Sequence, residues 1–348
     1  MMVIKGGITM KKILSVLLVL IVSVGMLFAQ GAKEEASAAA AGEEKVSATN
    51  KLTVYSAASE GEAEKLVAKF NEKYPDIKVQ IIRAGSGDMV TRVKTEWPKP
   101  DGDVVLLMAK ENLDQIYDYL EPYKCANHDS FDVANRDSAD IPKYYGTTMP
   151  LQAIMYNTNM LTPDQAPKSW KDLADPKYKG EIVLANPASS GSAYAQLYMM
   201  NKLYGMDYVA DVAKNATYVA SSTAGPDSVA RGEYAITVTG EFNIAKKIGA
   251  GDPVAYVMPE EGTGHRIEGS AILANCKNLD SARKFIDFMT SDEALVIVRD
   301  ECSRRPISTT IEGPKNLPAL KDIKFFEYDA TEAKNLKKSL VSEFNALL

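Results

Sequence analysis

Histidine and cysteine are scarce in this chain of 348 residues. It contains two histidines, His128 and His265, and three cysteines, Cys125, Cys276 and Cys302. The cysteines are too few and too scattered for a disulfide framework, although one pair with one free thiol, such as Cys276 with Cys302, stays open. The close spacing of cysteine and histidine that marks a zinc site is also missing. The composition therefore argues against a disulfide scaffold and against a zinc-motif protein.

Familiar catalytic motifs are missing as well. Neither the G-x-S-x-G nucleophile elbow nor the G-x-x-x-x-G-K phosphate loop occurs. Only His128 or His265 could serve as the base of a Ser/His triad, and His128 lies in a polar stretch, Ala126–Ser130. We therefore predict a protein that is not an enzyme and that needs no cofactor. The competing class is a secreted phosphatase with an unfamiliar arrangement of residues.

Long hydrophobic runs are absent except at the N-terminus. The uncharged run Ile13–Phe28 follows Lys11 and Lys12 and closes with the small residues Ala29 and Gly31. It is short for a bilayer span, so residues 1–29 are predicted to be a signal peptide, with a membrane anchor as the alternative. Cleavage is expected after Ala29 or Gly31, and the true start is either Met1 or Met10. With no cysteine near the cleavage site, a lipid anchor is not supported.

The segment that follows has little with which to build a core. Residues 30–50 contain no aromatic side chain and almost no bulky apolar one, which predicts a disordered tether. Positive charge is also in deficit. The chain carries a net charge of −6, and Lys5, Lys11 and Lys12 lie in the signal segment without an acid, which leaves −9 for the remainder. An acidic mature protein argues against nucleic acid and anionic membrane as partners.

Strand and helix patterns alternate along the rest of the chain. Leu52–Tyr55 and Ile77–Ile82 have strand patterns, each followed by a helical one, and Val104–Met108 is a continuous apolar run of the buried-strand type. A second series begins at Ile182 and includes a helix over Ala193–Leu203. This order predicts an α/β fold with mostly parallel sheets flanked by helices, in two lobes between which the chain crosses more than once.

The most informative segment is Glu181–Gln196, an apolar strand that runs through a Ser/Gly turn into a helix. Free N–H groups at a helix start attract anions, and Ser189, Ser190 and Ser192 add hydroxyl groups without adding charge. Serine before a helix is often only an N-cap. One cap residue is enough, however, and Gly191 weakens the helix, so the cluster predicts an anion site.

Seven short segments, taken in order, resemble the solute-binding proteins of ABC importers, in the branch with periplasmic binders of ferric iron, hexose phosphate, aminoethylphosphonate and thiamine. The segments are Leu52–Ser56, Asp103–Leu107, Ile154–Thr158, Asn186–Ala193, Ala230–Tyr234, Glu261–Gly264 and Ala282–Phe288. The resemblance implies the type 2 periplasmic binding fold, with a strand hinge and a ligand closed between two lobes. It also implies a periplasmic protein that delivers its solute to an ABC permease in the inner membrane.

Within that fold we expect one lobe to comprise residues 51–150 and 266–305, and the other residues 151–265 and 306–348. Several Ser/Thr-rich turns should then face one cleft, because open α/β sheets bind ligands beyond the carboxyl ends of their strands. The candidates besides Ser189–Ser192 are Ser56, Ser59, Ser86, Ser222, Thr223, Thr239, Glu241, His265 and Arg266.

These candidates have different expected roles. Glu241 could accept sugar hydroxyls or pair with an amine, and a solvated loop acid is its alternative. Arg266 could neutralise a phosphate group bidentately and His265 could hydrogen-bond it, with a plain surface position as the alternative for each. Arg83, before the turn at Gly85, is a weaker candidate of the same kind.

The iron binders of this branch use a histidine, a glutamate and an adjacent tyrosine pair. By alignment these positions fall on Ser59, Met108, Phe242 and Asn243, which are not the hard-cation ligands that ferric iron needs. The pair at residues 144–145, both tyrosines, is expected on the crossover strand as a packing element. The resemblance therefore predicts a monomeric receptor for a small phosphorylated or phosphonate-bearing organic solute. Ferric iron bound through a synergistic anion, or thiamine, is the alternative.

Overall fold

The computed structural model describes residues 50–348 apart from 265 and 309, and of residue 60 only the backbone. The predicted signal peptide, and all of the predicted tether except Asn50, lie outside the described residues. Within the described range, no helix is both long enough and apolar enough to cross a membrane.

The described residues form eleven strands and nine α-helices. The strands are β1 (Lys51–Ser56), β2 (Lys78–Arg83), β3 (Val104–Ala109), β4 (Leu120–Glu121), β5 (Tyr144–Thr148), β6 (Gln152–Asn157), β7 (Ile182–Ala185), β8 (Ala216–Val219), β9 (Ile236–Gly240), β10 (Val254–Val257) and β11 (Glu268–Leu273). The helices are α1 (Glu60–Lys73), α2 (Ser86–Glu96), α3 (Lys110–Leu113), α4 (Gly191–Asn215), α5 (Ala224–Ala230), α6 (Glu241–Gly249), α7 (Leu279–Met289), α8 (Asp292–Asp300) and α9 (Ala330–Asn345).

The strands form two sheets. The first has the order β2-β1-β3-β11-β4, with β5 also paired to β11, and the second has the order β10-β6-β9-β7-β8. The pairs β1/β2, β1/β3, β7/β8 and β7/β9 are parallel, whereas every pair made by β6 or β11 is antiparallel. The predicted two-lobed α/β fold is confirmed. The sheets are mixed rather than mostly parallel, because the strands next to the crossings run against their neighbours.

Each sheet has its own core. In the first lobe, Phe70 of α1 packs edge-on against Phe285 of α7 beside the fully buried strand β3. In the second lobe, Trp170 and Tyr194 are fully buried among side chains of α4 and α9. Burying one large apolar side chain contributes about 1.5–3 kcal/mol, so each lobe is stabilised by a core of its own.

The chain passes between the sheets at three places: from β5 to β6, from β10 to β11, and between α8 and α9. Two of these crossings are hydrogen-bonded to each other. The Met149 N–H donates to the Arg305 carbonyl at 3.0 Å, and the Ile307 N–H donates to the Thr147 carbonyl at 3.0 Å. Extended segments therefore lie side by side between the lobes, as a strand hinge requires. The exact lobe boundaries stay a prediction.

All three cysteines are free thiols, so the pairing left open for Cys276 and Cys302 is not formed. Burial raises the pKa of the Cys276 thiol to about 12 and that of Cys302 to about 11. These thiols are therefore protonated at neutral pH and behave as packing groups.

Candidate functional site

A polar cavity of about 210 Å³ lies between the two sheets, and we call it the central cavity. Arg83 and Ser86 line it from the first lobe, and Ser189–Ser192 and Ser222 line it from the second. Arg83 also borders a second cavity of about 410 Å³, which Ser59 and Thr223 line. The fold thus brings most of the serine- and threonine-rich turns predicted from the sequence to one cleft.

The start of α4 forms one wall of the central cavity. Ser190 is its N-cap, and the Ser190 hydroxyl accepts a hydrogen bond from the Ala193 N–H at 3.2 Å. The Ser189 hydroxyl donates to the Ala220 carbonyl at 2.7 Å, and the Ser192 hydroxyl donates to Gln152 Oε1 at 2.8 Å.

The three serine hydroxyls at the start of α4 therefore already have protein partners. The amides of Gly191 and Ser192 occupy the first two helical positions, where an α-helix offers no acceptor. These main-chain N–H groups, with the Ser190 hydroxyl, which accepts a hydrogen bond but donates none to the described residues, are the donors that a ligand can use, whereas the Ser189 and Ser192 hydroxyls already donate to the protein.

Acidic side chains distinguish α4 from the other helix starts at this cleft. Asp88 lies in the first turn of α2, Asp227 in that of α5, and Glu62 closes the capping box of α1 with the Ser59 N–H at 2.9 Å. Each carboxylate offsets the positive end of its own helix dipole. The first turn of α4 has no acidic residue. An anion in this cleft therefore finds its best helix start at Gly191.

The lobes also touch directly beside the cavity. A Cβ atom added to Gly85 would overlap the carbonyl oxygen of Ser189, and one added to Gly87 would overlap the carbonyl oxygen of Ala188. The two backbones approach this closely because glycine has no side chain. The contact places carbonyl groups of the second lobe against the start of α2, so that helix start serves the contact between the lobes.

Two buried arginines, Arg266 and Arg304, line the floor of the central cavity. Arg304 donates to both oxygens of Glu62, at 2.8 and 3.0 Å, and to Glu268 at 2.5 Å. Arg266 donates to Glu268 at 2.5 Å and to Glu111 at 3.4 Å.

Glu62 is the centre of this ion-pair network. Its second cationic partner is Lys246 of α6, so the network joins the two lobes. Burial alone would raise the pKa of Glu62, but the attraction of Arg304 and Lys246 outweighs it and holds that pKa well below its usual range. Glu62 therefore stays ionised and anchors both cations.

Arg304 is a cavity residue that the sequence reasoning missed. It stacks on the ring of Phe242, with its guanidinium carbon 3.6 Å from the ring centroid. The run Cys302–Pro306 carries no periodic pattern, and only the third crossing brings it to the cleft. A pair of adjacent arginines in a loop was the only available signal.

Three predicted ligand contacts are turned away from both cavities. The Ser56 hydroxyl accepts from the Ala58 N–H at 3.2 Å inside its own turn, and the Thr239 hydroxyl accepts from Asn243 Nδ2 at 2.9 Å. Glu241 is buried, not a solvated loop acid, and both its oxygens accept from Arg305, at 2.5 and 3.0 Å. Both oxygens of the Glu241 carboxylate are thereby paired, because a buried charge is stable only with a partner of the opposite charge.

The remaining predictions concern His265 and the metal positions. His265 lies outside the described residues. Of the four positions aligned with iron ligands, Ser59 and Asn243 line the second cavity, Phe242 lines the central one and Met108 is buried in the core. Among the described residues, no group of three His, Cys, Asp or Glu side chains has the arrangement that could hold a metal ion.

The tyrosine pair of β5 is a packing element of the first lobe. The Tyr144 hydroxyl donates to Asp114 at 3.0 Å, and the Tyr145 hydroxyl accepts from the Cys125 N–H at 3.1 Å. Both rings are buried, and desolvation raises the pKa of both phenols. Neither ring lines a cavity at the cleft.

Comparison with known proteins agrees with this architecture. The sequence profile of the family described as "Bacterial extracellular solute-binding protein" matches residues 65–321. The "Probable ABC transporter periplasmic-binding protein y4fP" of Sinorhizobium fredii is 24% identical over 277 residues, which are 74% of each chain.

Solved structures are similar over most of the chain. The periplasmic binding protein AfuA of Actinobacillus pleuropneumoniae, solved with fructose-6-phosphate, superposes with a TM-score of 0.80 at 28% identity, over 85% of this chain and 98% of AfuA. Iron-bound HitA of Pseudomonas aeruginosa has a TM-score of 0.75 at 17% identity, over 84% and 99%, which shows a shared fold alone. The chain therefore belongs to the bacterial extracellular solute-binding protein family, and it has the type 2 two-lobed fold of the periplasmic receptors that serve ABC importers.

Proposed function

We propose that this protein captures a small phosphorylated or phosphonate-bearing organic solute between its lobes and delivers it to an ABC permease in the inner membrane. It would do so as an exported, monomeric carrier that leaves the solute chemically unchanged. The observation that carries the proposal is the start of α4, where main-chain N–H groups without an acid in their turn face a cavity that also holds Arg266 and Arg304.

The energetics favour an anion that is closed off from water. One helix start contributes only about 0.3–1 kcal/mol to anion binding when exposed, and up to about 2 kcal/mol when partly buried. Hydrogen bonds to charged groups add about 1.5–3 kcal/mol each. Micromolar capture requires about 8 kcal/mol, so several such donors must act together in a desolvated cleft. The donors we propose are the main-chain N–H groups at the start of α4 and the Arg83 side chain across the cleft, because Arg266 and Arg304 already donate to buried carboxylates.

The size of the cavity favours a small solute. Its volume of about 210 Å³ is below the range of about 300–1,000 Å³ that is usual for ligand pockets. AfuA, which is 28% identical, was solved with fructose-6-phosphate. Iron-bound HitA shares the fold, so a ferric ion held through an anion at the same helix start is the second candidate.

Calorimetric titration of the purified protein tests the proposal. The panel comprises glucose 6-phosphate, fructose 6-phosphate, 2-aminoethylphosphonate, inorganic phosphate, glucose, thiamine, and ferric citrate with and without a chelator. We expect a phosphorylated or phosphonate solute to bind in the micromolar range or tighter, and glucose not to bind. Binding of ferric citrate alone, lost on chelation, would establish the iron reading instead. Release of inorganic phosphate from the sugar phosphates would establish a phosphatase.

The variant Arg83→Gln, titrated with the same panel, tests whether the solute binds in this cleft, because Arg83 borders both cavities. Loss of its charge should weaken binding of the anionic solute about ten-fold or more, as expected for one charge-assisted contact. Arg231→Gln is the matched control, since Arg231 pairs with Glu233 and lines neither cavity. Equal affinities for the two variants would argue against an anion in this cleft.

A further inference from the structure

The second cavity, of about 410 Å³, adjoins the central cavity. Arg83 lines both, and neighbouring residues of the second lobe divide between them: Ser222 and Phe242 line the central cavity, whereas Thr223 and Asn243 line the second one. The volume of the second cavity lies within the range of about 300–1,000 Å³ that is usual for ligand pockets. A solute held at the start of α4 can therefore extend past Arg83 into this second space.

Asn243 offers the second cavity a hydrogen-bond acceptor. It lies in the first turn of α6, and only 7% of it is exposed. Its Nδ2 donates to the Thr239 hydroxyl at 2.9 Å, and that hydroxyl donates its one proton to the Ser222 carbonyl at 3.5 Å, which identifies the NH₂ side of the amide. No described residue donates to Asn243 Oδ1, so this oxygen is left for a guest in the cavity that Asn243 lines.

The charges around the second cavity argue against a charged end group. Lys246 pairs with Glu62, and Lys247 pairs with Asp227 at 2.7 Å. These two lysines and Arg83 disfavour an ammonium group in the same space. A second anion would have to share Arg83 with the first, because each lysine already has a carboxylate partner. An uncharged polar end group fits this balance best.

Hydroxyl groups match the other groups of the lining. Ser59 and Thr223 present hydroxyls, and Asn243 presents its acceptor oxygen. An alcohol both donates and accepts hydrogen bonds, so it can satisfy all three. Among the described residues of the lining, only Pro226 and Ala250 are apolar, and an apolar guest would leave the Asn243 oxygen desolvated without a donor, which is unfavourable.

We propose that the second cavity is a hydroxyl-binding subsite and that Asn243 is its specificity residue, whose Oδ1 accepts a hydrogen bond from a hydroxyl group of the solute. The solute is then a polyhydroxylated phosphate ester, such as a sugar phosphate, rather than a phosphonate that ends in an ammonium group. This inference rests on the proposed function, because the phosphate group of the same solute lies at the start of α4.

Calorimetric titration of wild type and Asn243→Leu tests the assignment. In wild type, glucose 6-phosphate or fructose 6-phosphate should bind about ten-fold more tightly, or better, than inorganic phosphate and 2-aminoethylphosphonate. Asn243→Leu removes the acceptor at a similar side-chain size. It should weaken binding of the sugar phosphate about ten-fold or more, the cost of one buried acceptor left without its partner. Its affinity for inorganic phosphate should stay unchanged.

A second variant and a control complete the titration. Thr223→Val removes a hydroxyl from the same cavity and leaves Asn243 in place, so it should also weaken the sugar phosphate and not inorganic phosphate. Asn316→Leu is the matched control. Asn316 Nδ2 donates to the Ala245 carbonyl of α6 at 3.4 Å, and Asn316 lines neither cavity. This variant should bind both solutes as wild type does.

The outcomes separate this subsite from the proposed function. If sugar phosphates bind no more tightly than inorganic phosphate, or if Asn243→Leu and Thr223→Val weaken both solutes alike, the subsite is wrong although the anion site stands. If no phosphorylated or phosphonate solute binds, while glucose binds wild type and not Asn243→Leu, the proposed function falls and the subsite stands. If no member of the panel binds, both are wrong.

Discussion

At the residue scale, the serine cluster shows that an N-cap leaves hydrogen-bond donors free in the same turn. The sequence left two alternatives for Ser189, Ser190 and Ser192, N-capping or ligand contact. The structure assigns the hydroxyls of all three to protein partners, and Ser190 is the cap. The next amides, at Gly191 and Ser192, are left for a ligand because a cap satisfies only one or two of the four free N–H groups of a helix start.

Glu62 is the residue whose charge state we expect to govern acid stability. Its pKa is lowered in the folded protein, so it stabilises the fold above the usual glutamate pKa of about 4.3 and loses that contribution as the pH falls further. Glu62→Gln should lower the free energy of unfolding at pH 7 by about 3–5 kcal/mol, because it leaves Arg304 and Lys246 without their buried partner. Denaturant titrations from pH 7 to pH 3 should show this difference shrinking below about pH 4.3.

Glu233→Gln is the control for that prediction. Glu233 pairs with Arg231 on the exposed surface, where an ion pair contributes little. Its unfolding free energy should therefore follow the wild-type curve. A difference between wild type and Glu62→Gln that stays constant across the whole pH range would show that the carboxylate is not ionised in the folded protein.

At the scale of elements, two helix starts at the same cleft have different tasks. Both starts line the central cavity, but the start of α4 has no acid, whereas the start of α2 has Asp88 and also meets the backbone of Ala188 and Ser189. The sequence assigned both turns to the ligand. The pattern of Ser and Gly before the helix is the same in the two cases, so the sequence does not distinguish the two helix starts. They differ in the group that each meets across the cleft.

Gly87→Ala should prevent full closure of the cleft. The added methyl group meets the Ala188 carbonyl only when the lobes are together, so the free, open protein should keep its melting temperature or gain slightly from the better helix former. The increase in melting temperature caused by the tightest-binding solute of the panel should shrink, and its affinity should fall about ten-fold or more, a loss of roughly 1.4 kcal/mol per decade.

Gly61→Ala is a closely matched control, because Gly61 is also the second residue of its helix and has no atom near the new methyl group. It should leave solute binding unchanged. If Gly87→Ala and Gly61→Ala respond alike to the solute, the contact between α2 and the 188–189 turn does not limit closure.

At the scale of the whole molecule, several features of the fold were predictable from short local sequence patterns. The apolar run at Val104–Met108 predicted a strand because both its faces are covered, and every residue of β3 is buried. The turn before α4 lines the central cavity, and its own residues had indicated an anion site. Both features are encoded within a few consecutive residues, so a single chain without relatives reveals them. Arg266 lines the same cavity, but its place there was expected only from the resemblance to the family.

Long-range features were not predictable in the same way. The antiparallel direction of β6 and β11 depends on how the chain returns from the other lobe, and no local pattern records it. Arg304 reaches the central cavity from a segment far in sequence from its partner Glu62. For Glu241 the sequence allowed a ligand contact or a solvated loop acid, yet the fold buries the side chain against Arg305. In each case a distant partner decides the role of the residue.

The central claim is that main-chain amides at the start of α4 hold an anion between two closed lobes. A crystal structure with the tightest-binding phosphorylated or phosphonate solute tests it most directly. The account predicts phosphate or phosphonate oxygens within hydrogen-bond distance of the Gly191 and Ser192 N–H groups. A solute lodged elsewhere, with those two amides facing bulk water, would contradict it.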